Sequence, residues 1–202
     1  MRLDKLLGGA GLTRAQARRA VADGRVRVEA RVARDPGMRV DGLRVELDAQ
    51  PVEAPGELYW MLNKPAGVLS AVSDAREQTA FSLLPQRAQL RRPSPVGRLD
   101  KDVTGLLLFT TDGELLHRLI SPRCAVEKVY RARVEGTPGQ QAVRALSEGV
   151  ALSDFTARPA RLEVLGENSV RLTITEGRYH EVKRLLAAVG HPVVWLMRES
   201  MG

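Results

Sequence analysis

The chain has 202 residues, 44% hydrophobic and 4% aromatic, with 31 Lys and Arg against 24 Asp and Glu for a formal net charge of +7. The apolar share excludes wholesale disorder, the length fits one large or two small domains, and a surplus with a pI near 10.2 points to a polyanionic partner, of which nucleic acid is the usual one. So few aromatics argue against extensive base stacking, lone Cys124 excludes an intramolecular disulfide and a Cys-based zinc site, and no run approaches about 18 apolar residues.

The N-terminus, Met1-Arg2-Leu3-Asp4-Lys5, has no apolar signal core behind it, so a soluble, cytoplasmic protein is expected, and a monomer is the working expectation. The charge is uneven. Residues 1–45 hold 11 Lys and Arg against 5 Asp and Glu, and the remainder holds 20 against 19. That asymmetry predicts a small basic module ahead of a near-neutral body. Leu3, Leu6 and Leu7 share a helical face closed by Gly8-Gly9. Thr13 can cap a second helix, Arg14 to Ala22, that ends near Gly24. On it Arg14 and Arg18 share a face with Arg19 beside them. Val26/Val28, Val32, Val40 and Val45/Leu47 then predict short strands around turns at Asp35-Pro36-Gly37 and Asp41-Gly42. A basic helix backed by a small sheet can lie along a phosphate backbone while reading little sequence. The stretch resembles the S4 RNA-binding domain, through Arg2-Leu3-Asp4-Lys5-Leu6 and Gly24-Arg25-Val26 with Val28. Residues 46–57 are acidic, carry two prolines and a glycine and show no period, which predicts an interdomain linker before a second domain at 58–202.

In the second part Tyr59-Trp60-Met61-Leu62 reads as a strand stopped at Asn63-Lys64-Pro65, and Leu106 to Phe109 as a buried strand. Asp112 can cap a helix carrying Leu115, Leu116, Leu119 and Ile120. Lys128 to Glu135 alternates, with Val129, Arg131 and Arg133 on one face and Tyr130, Ala132 and Val134 on the other. Pro138 to Leu146 predicts a helix, and Ala160 to Leu165 and Val170 to Thr175 two strands around Gly166-Glu167-Asn168. The fold class is α+β, with a mixed or antiparallel sheet flanked by helices.

Three segments carry candidate chemistry. In Gly97-Arg98-Leu99-Asp100-Lys101-Asp102-Val103-Thr104-Gly105, terminal glycines permit a tight excursion at the edge of a buried strand. Asp100 is the carboxylate best placed to face a cleft, with Arg98 two residues before it. An ordinary polar loop with a locally paired Asp has the same pattern. In Glu176 to Leu186, the residues Val182, Leu185, Leu186 and Val189 form one helical stripe, ended by Gly190. Lys183 lies on a flank of the stripe, where it either reaches toward a buried carboxylate or snorkels to solvent. Arg184 points nearly opposite and is left for solvent or phosphate. In Glu127-Lys128-Val129-Tyr130, the tyrosine is inward, as a core or a site residue. His180-Glu181 lacks the second His that a zinc helix needs, and no phosphate-cradling glycine loop is present, so neither metal nor nucleotide cofactor is implied.

In this order, behind an S4-like module, Gly97-Arg98-Leu99-Asp100 with Thr104-Gly105-Leu106-Leu107-Leu108, Lys128-x-Tyr130 and Glu176-Gly177-Arg178-x-His180-x-Val182-Lys183-Arg184 resemble the RsuA family of pseudouridine synthases. Tyr59 to Pro65 with Gly67 fits the same family. The resemblance implies that Asp100 is the catalytic aspartate, that Tyr130 stacks on the target base, that Lys183 is the basic partner of the aspartate, and that Arg98 enters the RNA stack where the uridine leaves it. It implies no cofactor, because isomerising uridine breaks the C1′–N1 bond, turns the ring and rejoins it through C5. The uridine must be flipped out for this. A cation within about 4–6 Å keeps a desolvated carboxylate ionised, and a flat tyrosine face holds uracil while it rotates. Covalent attack and proton abstraction are both open to Asp100. Tyr179-His180 resembles the small-subunit type, which makes 16S ribosomal RNA, free or in a partly assembled subunit, the expected partner. The competing expectations are the same chemistry on 23S rRNA and a non-catalytic rRNA-binding assembly factor. Glu181 stands where the family commonly has Gln and brings a negative charge near Lys183. The chain ends at Met201-Gly202, where relatives usually continue through a short segment.

Overall fold

The computed structural model describes residues 1–53 and 56–202. The chain falls into two compact units, Met1–Glu57 and Leu58–Gly202. In the first, helix α1 (Leu3–Gly9) buries Leu3, Leu6 and Leu7. Helix α2 (Arg14–Ala22) starts on a capping box, in which Thr13 Oγ1 accepts from the Gln16 N–H and Gln16 Oε1 accepts from the Thr13 N–H. It buries Ala17, Ala20 and Val21, one stripe at i, i+3 and i+4, and leaves Arg14, Arg18 and Arg19 exposed. Strands β1 (Val26–Val28), β2 (Arg31–Val32), β3 (Val45–Leu47) and β4 (Gln50–Pro51) form a sheet in the order β2-β1-β3-β4. Val26, Val28 and Val45 close the core against the two helices.

The acidic stretch expected to link the domains is built differently. Residues 45–51 are a hairpin of the first unit's sheet, while Ala54 and Pro55 lie outside the described residues. The reason is strand pairing and burial that cross the expected boundary: β3 pairs with both β1 and β4, and Val45 is buried, while Asp48 pairs with Arg25 and Glu46 with Arg44 at 2.9 Å on the surface. Cut at the structural boundary, residues 1–57 carry 11 Lys and Arg against 9 Asp and Glu, and the rest carries 20 against 15. The basic module thus becomes one basic helix face on a nearly neutral unit. Val40, expected in a strand, is a buried core residue outside the named strands.

The second unit centres on a seven-stranded mixed sheet. In chain order its elements are β5 (Tyr59–Lys64), α3 (Gln86–Gln89), β6 (Ser94–Pro95), β7 (Thr104–Thr110), α4 (Gly113–Ile120), β8 (Lys128–Val134), α5 (Gln140–Glu148), β9 (Arg161–Gly166), β10 (Ser169–Ile174), α6 (Glu181–Ala188) and β11 (Val193–Met201). The sheet order is β5-β7-β11-β8-β10-β9, with β6 beside β7. Among the named strands of this sheet, only β7 and β11 pair in parallel in the described residues. One face packs Leu107, Phe109, Tyr130, Ala132, Leu172 and Leu196 against Leu146 of α5 and Val182, Leu185 and Leu186 of α6. The other face leaves Met61, Arg131 and Arg133 exposed.

Strand β11 has no counterpart in the sequence reading, although it sits between β7 and β8. Its alternation is interrupted twice by bulges, at Val193/Trp195 and Arg198/Ser200, and it puts Arg198 at an inward position. Both features break the period-2 apolar pattern by which strands are recognised. Its approach to β7 also explains Gly105. That residue has φ +99°, and a Cβ there would lie 2.2 Å from the Arg198 carbonyl oxygen.

Candidate active site

The loop ahead of β7 is held by its neighbours rather than by its own sequence. The Leu99 N–H donates to Ser70 Oγ at 3.0 Å, and the Ser70 hydroxyl donates back to the Leu99 carbonyl at 2.8 Å. Lys64, expected to stop its strand, completes β5 and is 0% exposed. Its ammonium donates to the carbonyls of Pro65, Val68 and Lys101 at 3.0, 2.8 and 3.2 Å. It therefore fastens the turn after β5 to the loop that carries Asp100. Burial pulls the Lys64 ammonium below its ordinary value, against the opposing fields of Asp102 and Asp100.

Asp100 faces a small, open cleft that is also lined by Arg98, Tyr130, His180, Lys183 and Leu196. The four residues singled out from the sequence for the chemistry, Asp100, Tyr130, Lys183 and Arg98, thus meet in one place. Lys183 Nζ lies 3.4 Å from Asp100 Oδ2, and His180 Nε2 lies 3.4 Å from Asp100 Oδ1. The sequence reading missed a second carboxylate: Asp102 accepts from Lys183 with both oxygens at 2.8 Å. Burial alone would lower the Lys183 ammonium, but Asp102 and Asp100 together hold it above its ordinary value. The lysine in turn holds Asp102 low. Tyr130 is 7% exposed, and burial pushes its phenol up.

His180 starts α6 from a left-handed conformation, φ +50°, and its ring stacks on the exposed Tyr179 at a centroid distance of 3.8 Å. A non-glycine residue in that region is a form of strain that concentrates at functional sites. Glu181 does not oppose the Lys183 contact. Two residues along a helix is about 200° of rotation, and the Glu181 side chain, 4% exposed, accepts from the Arg178 N–H at 2.8 Å. Burial raises its carboxyl above the ordinary value.

Arg184 departs from expectation. Instead of standing free for phosphate, it pairs with Asp154 and lies over the Phe155 ring with its guanidinium carbon 5.2 Å from the centroid. The loop around residue 154 comes back against α6 and supplies the carboxylate. Arg14 and Arg18 stay exposed, and Arg19 lies 3.8 Å from Asp23.

Residues 58–188 match the family model described as RNA pseudouridylate synthase, and residues 1–42 match the S4 domain. The chain belongs to the RNA pseudouridylate synthase family. It is 39% identical to the ribosomal small subunit pseudouridine synthase A of Escherichia coli over 208 residues, which cover 100% of this chain and 89% of that one. It is 35% identical to the ribosomal large subunit pseudouridine synthase B of Bacillus subtilis over 211 residues, covering 98% and 84%. A crystal structure of a pseudouridylate synthase superposes with a TM-score of 0.68 at 33% identity, covering 100% of this chain and 89% of that one. The S4 module followed by an α+β synthase unit is accordingly the architecture of this enzyme.

Proposed function

We propose that this protein converts one uridine of 16S ribosomal RNA to pseudouridine, acting in the cytoplasm as a monomer. The observation that carries the chemistry is the convergence of Asp100, Lys183 and Tyr130 on one cleft. Asp100 is the group that attacks or deprotonates the flipped sugar. Lys183 and His180, each 3.4 Å from one of its oxygens, orient the carboxylate. Tyr130 offers a ring face to the uracil while it is detached, and Arg98 occupies the gap left in the RNA stack. No cofactor is called for, since the C1′–N1 pair departs with the uracil, the new bond forms through C5, and the C5 proton is lost. The first unit holds the RNA through Arg14, Arg18 and Arg19 on α2.

The choice of 16S rests on the small-subunit relative and on Tyr179-His180. A second reading, 23S rRNA, is favoured by the large-subunit relative at 35% identity. Position-resolved pseudouridine mapping by carbodiimide adduct and primer extension, on unmodified 16S and 23S rRNA and on partly assembled subunits, decides between them. Wild type should add one stop in 16S, and Asp100→Asn should add none while still binding RNA. A stop in 23S alone moves the target. Full activity in Asp100→Asn removes the aspartate from the chemistry. No stop on any substrate would leave an rRNA-binding assembly factor.

A further inference from the structure

The cleft accounts for one face of Tyr130 and leaves the group behind it unexplained. Arg198, on β11, is 2% exposed. Its Nε donates to the Leu106 carbonyl at 2.8 Å, whereas its Nη2 is buried and has no hydrogen-bond partner among the described residues. A guanidinium cannot shed its charge to suit such a site, and an unmade buried hydrogen bond costs about 1–3 kcal/mol. An orphaned donor of this kind calls for an explanation in strain or in function.

The register supplies one. Arg198 is the direct cross-strand partner of Tyr130 between β11 and β8, and both side chains are buried on the same face of the sheet. Residues so paired have Cβ atoms about 4.5–5.5 Å apart. On the other side the register partner of Arg198 is Gly105, which offers no side chain. The guanidinium therefore lies between the Leu106 carbonyl, which fixes it, and the tyrosine. The phenol feels its positive charge. Lys128, the buried cation two residues from Tyr130, feels the same charge.

We propose that Arg198 is a positioning residue for Tyr130: its spare N–H takes the phenolic oxygen as acceptor and fixes the ring plane against which the target base lies. The inference rests on the reading of Tyr130 as the residue that faces the uracil. Because Arg198 is not among the residues lining the cleft, it acts through the ring and not on the RNA.

The experiment is a double-mutant cycle on the full chain, with Arg198→Met, Arg198→Lys, Tyr130→Phe and the combined variants. It reads single-turnover pseudouridine formation at a range of RNA concentrations, with thermal melting alongside. Arg198→Met should lower the maximal rate by about 100-fold and shift the half-saturating RNA concentration less than about threefold, since it disturbs the reacting geometry and not RNA capture. Arg198→Lys, which keeps a donor and the charge, should recover at least about tenfold of the loss. In the Tyr130→Phe background Arg198→Met should cost no more than about threefold, because the acceptor is already gone. An equal cost in both backgrounds, or a loss confined to RNA affinity, overturns the proposal. If Arg198→Met does not fold, the cycle of Arg198→Lys with Tyr130→Phe carries the same test. Activity of wild type that vanishes in Asp100→Asn is measured in the same series, so failure of the site reading shows up separately from failure of the Arg198–Tyr130 coupling.

Discussion

The two units handle positive charge in opposite ways. In the first, the arginines of α2 stand in water on a helix whose other face is Ala17, Ala20 and Val21. In the second, Lys64, Lys128 and Arg198 are buried. Exposed cations act at range on a phosphate backbone, are screened by salt and contribute little to stability. Buried cations must be hydrogen-bonded, so each fixes the atoms around it. The comparison teaches that the arginines of α2 can be exchanged at little cost to stability, whereas none of the three buried cations can be lost without disturbing the atoms it ties down.

The largest effect should come from Lys64→Met, which leaves the carbonyls of Pro65, Val68 and Lys101 without their shared donor. Leaving a buried hydrogen-bonding group without its partner costs about 1–3 kcal/mol. Chemical denaturation should show a loss of that order, and pseudouridine formation should fall with it because the loop carrying Asp100 is released. A loss below about 0.5 kcal/mol would mean that the loop holds its shape without the lysine.

Glu181→Gln should act in the opposite direction and more weakly. With its folded carboxyl raised by burial above the ordinary 4.5, Glu181 takes up a proton on folding within that window. The stability linked to this group is fully present below the ordinary value and is lost as pH rises through the raised one. Glutamine keeps an acceptor for the Arg178 N–H without the charge. Melting curves of the two proteins should coincide near pH 4 and separate by neutral pH, with the variant more stable by on the order of 1 kcal/mol. A gap that is constant with pH would show that burial of the charge is not its cause.

The smallest effect on stability belongs to the exposed set. Replacing Arg14, Arg18 and Arg19 together by Ala should change the unfolding free energy by no more than about 0.5 kcal/mol at each site. The dependence of RNA affinity on salt should nevertheless flatten by up to about three phosphate equivalents. An unchanged slope would put the phosphate contacts on another surface.

Much of the local structure was legible because local rules produce it. The capping box at Thr13, the alternation of β8 and the stripe of α6 are set by residues within a few positions of one another. The β1–β2 and β3–β4 turns were not, since their central pairs, Glu29-Ala30 and Asp48-Ala49, all adopt positive φ without the Asn-Gly signal that announces such turns. In the cleft, Asp100, Tyr130, Lys183 and Arg98 stood out by motif. Asp102 did not, and His180 stood in a motif without its contact to Asp100 being legible, because a polar side chain beside a candidate looks the same whether it faces the site or the solvent.

What the sequence determined by itself is the order of units, the α+β class and the residue types gathered for the chemistry, all of which follow from short-range pattern and motif. Only the tertiary structure decided which cations are buried, that Lys183 bridges two carboxylates, and that the C-terminal strand runs between β7 and β8 with Arg198 behind Tyr130. These depend on distant partners, such as Leu106, 92 residues from Arg198, and Ser70, 29 residues from Leu99 in the Asp100 loop. No local period can encode a contact at that separation, and burial, which turns a surface-like lysine or arginine into a structural one, exists only once the strands have paired.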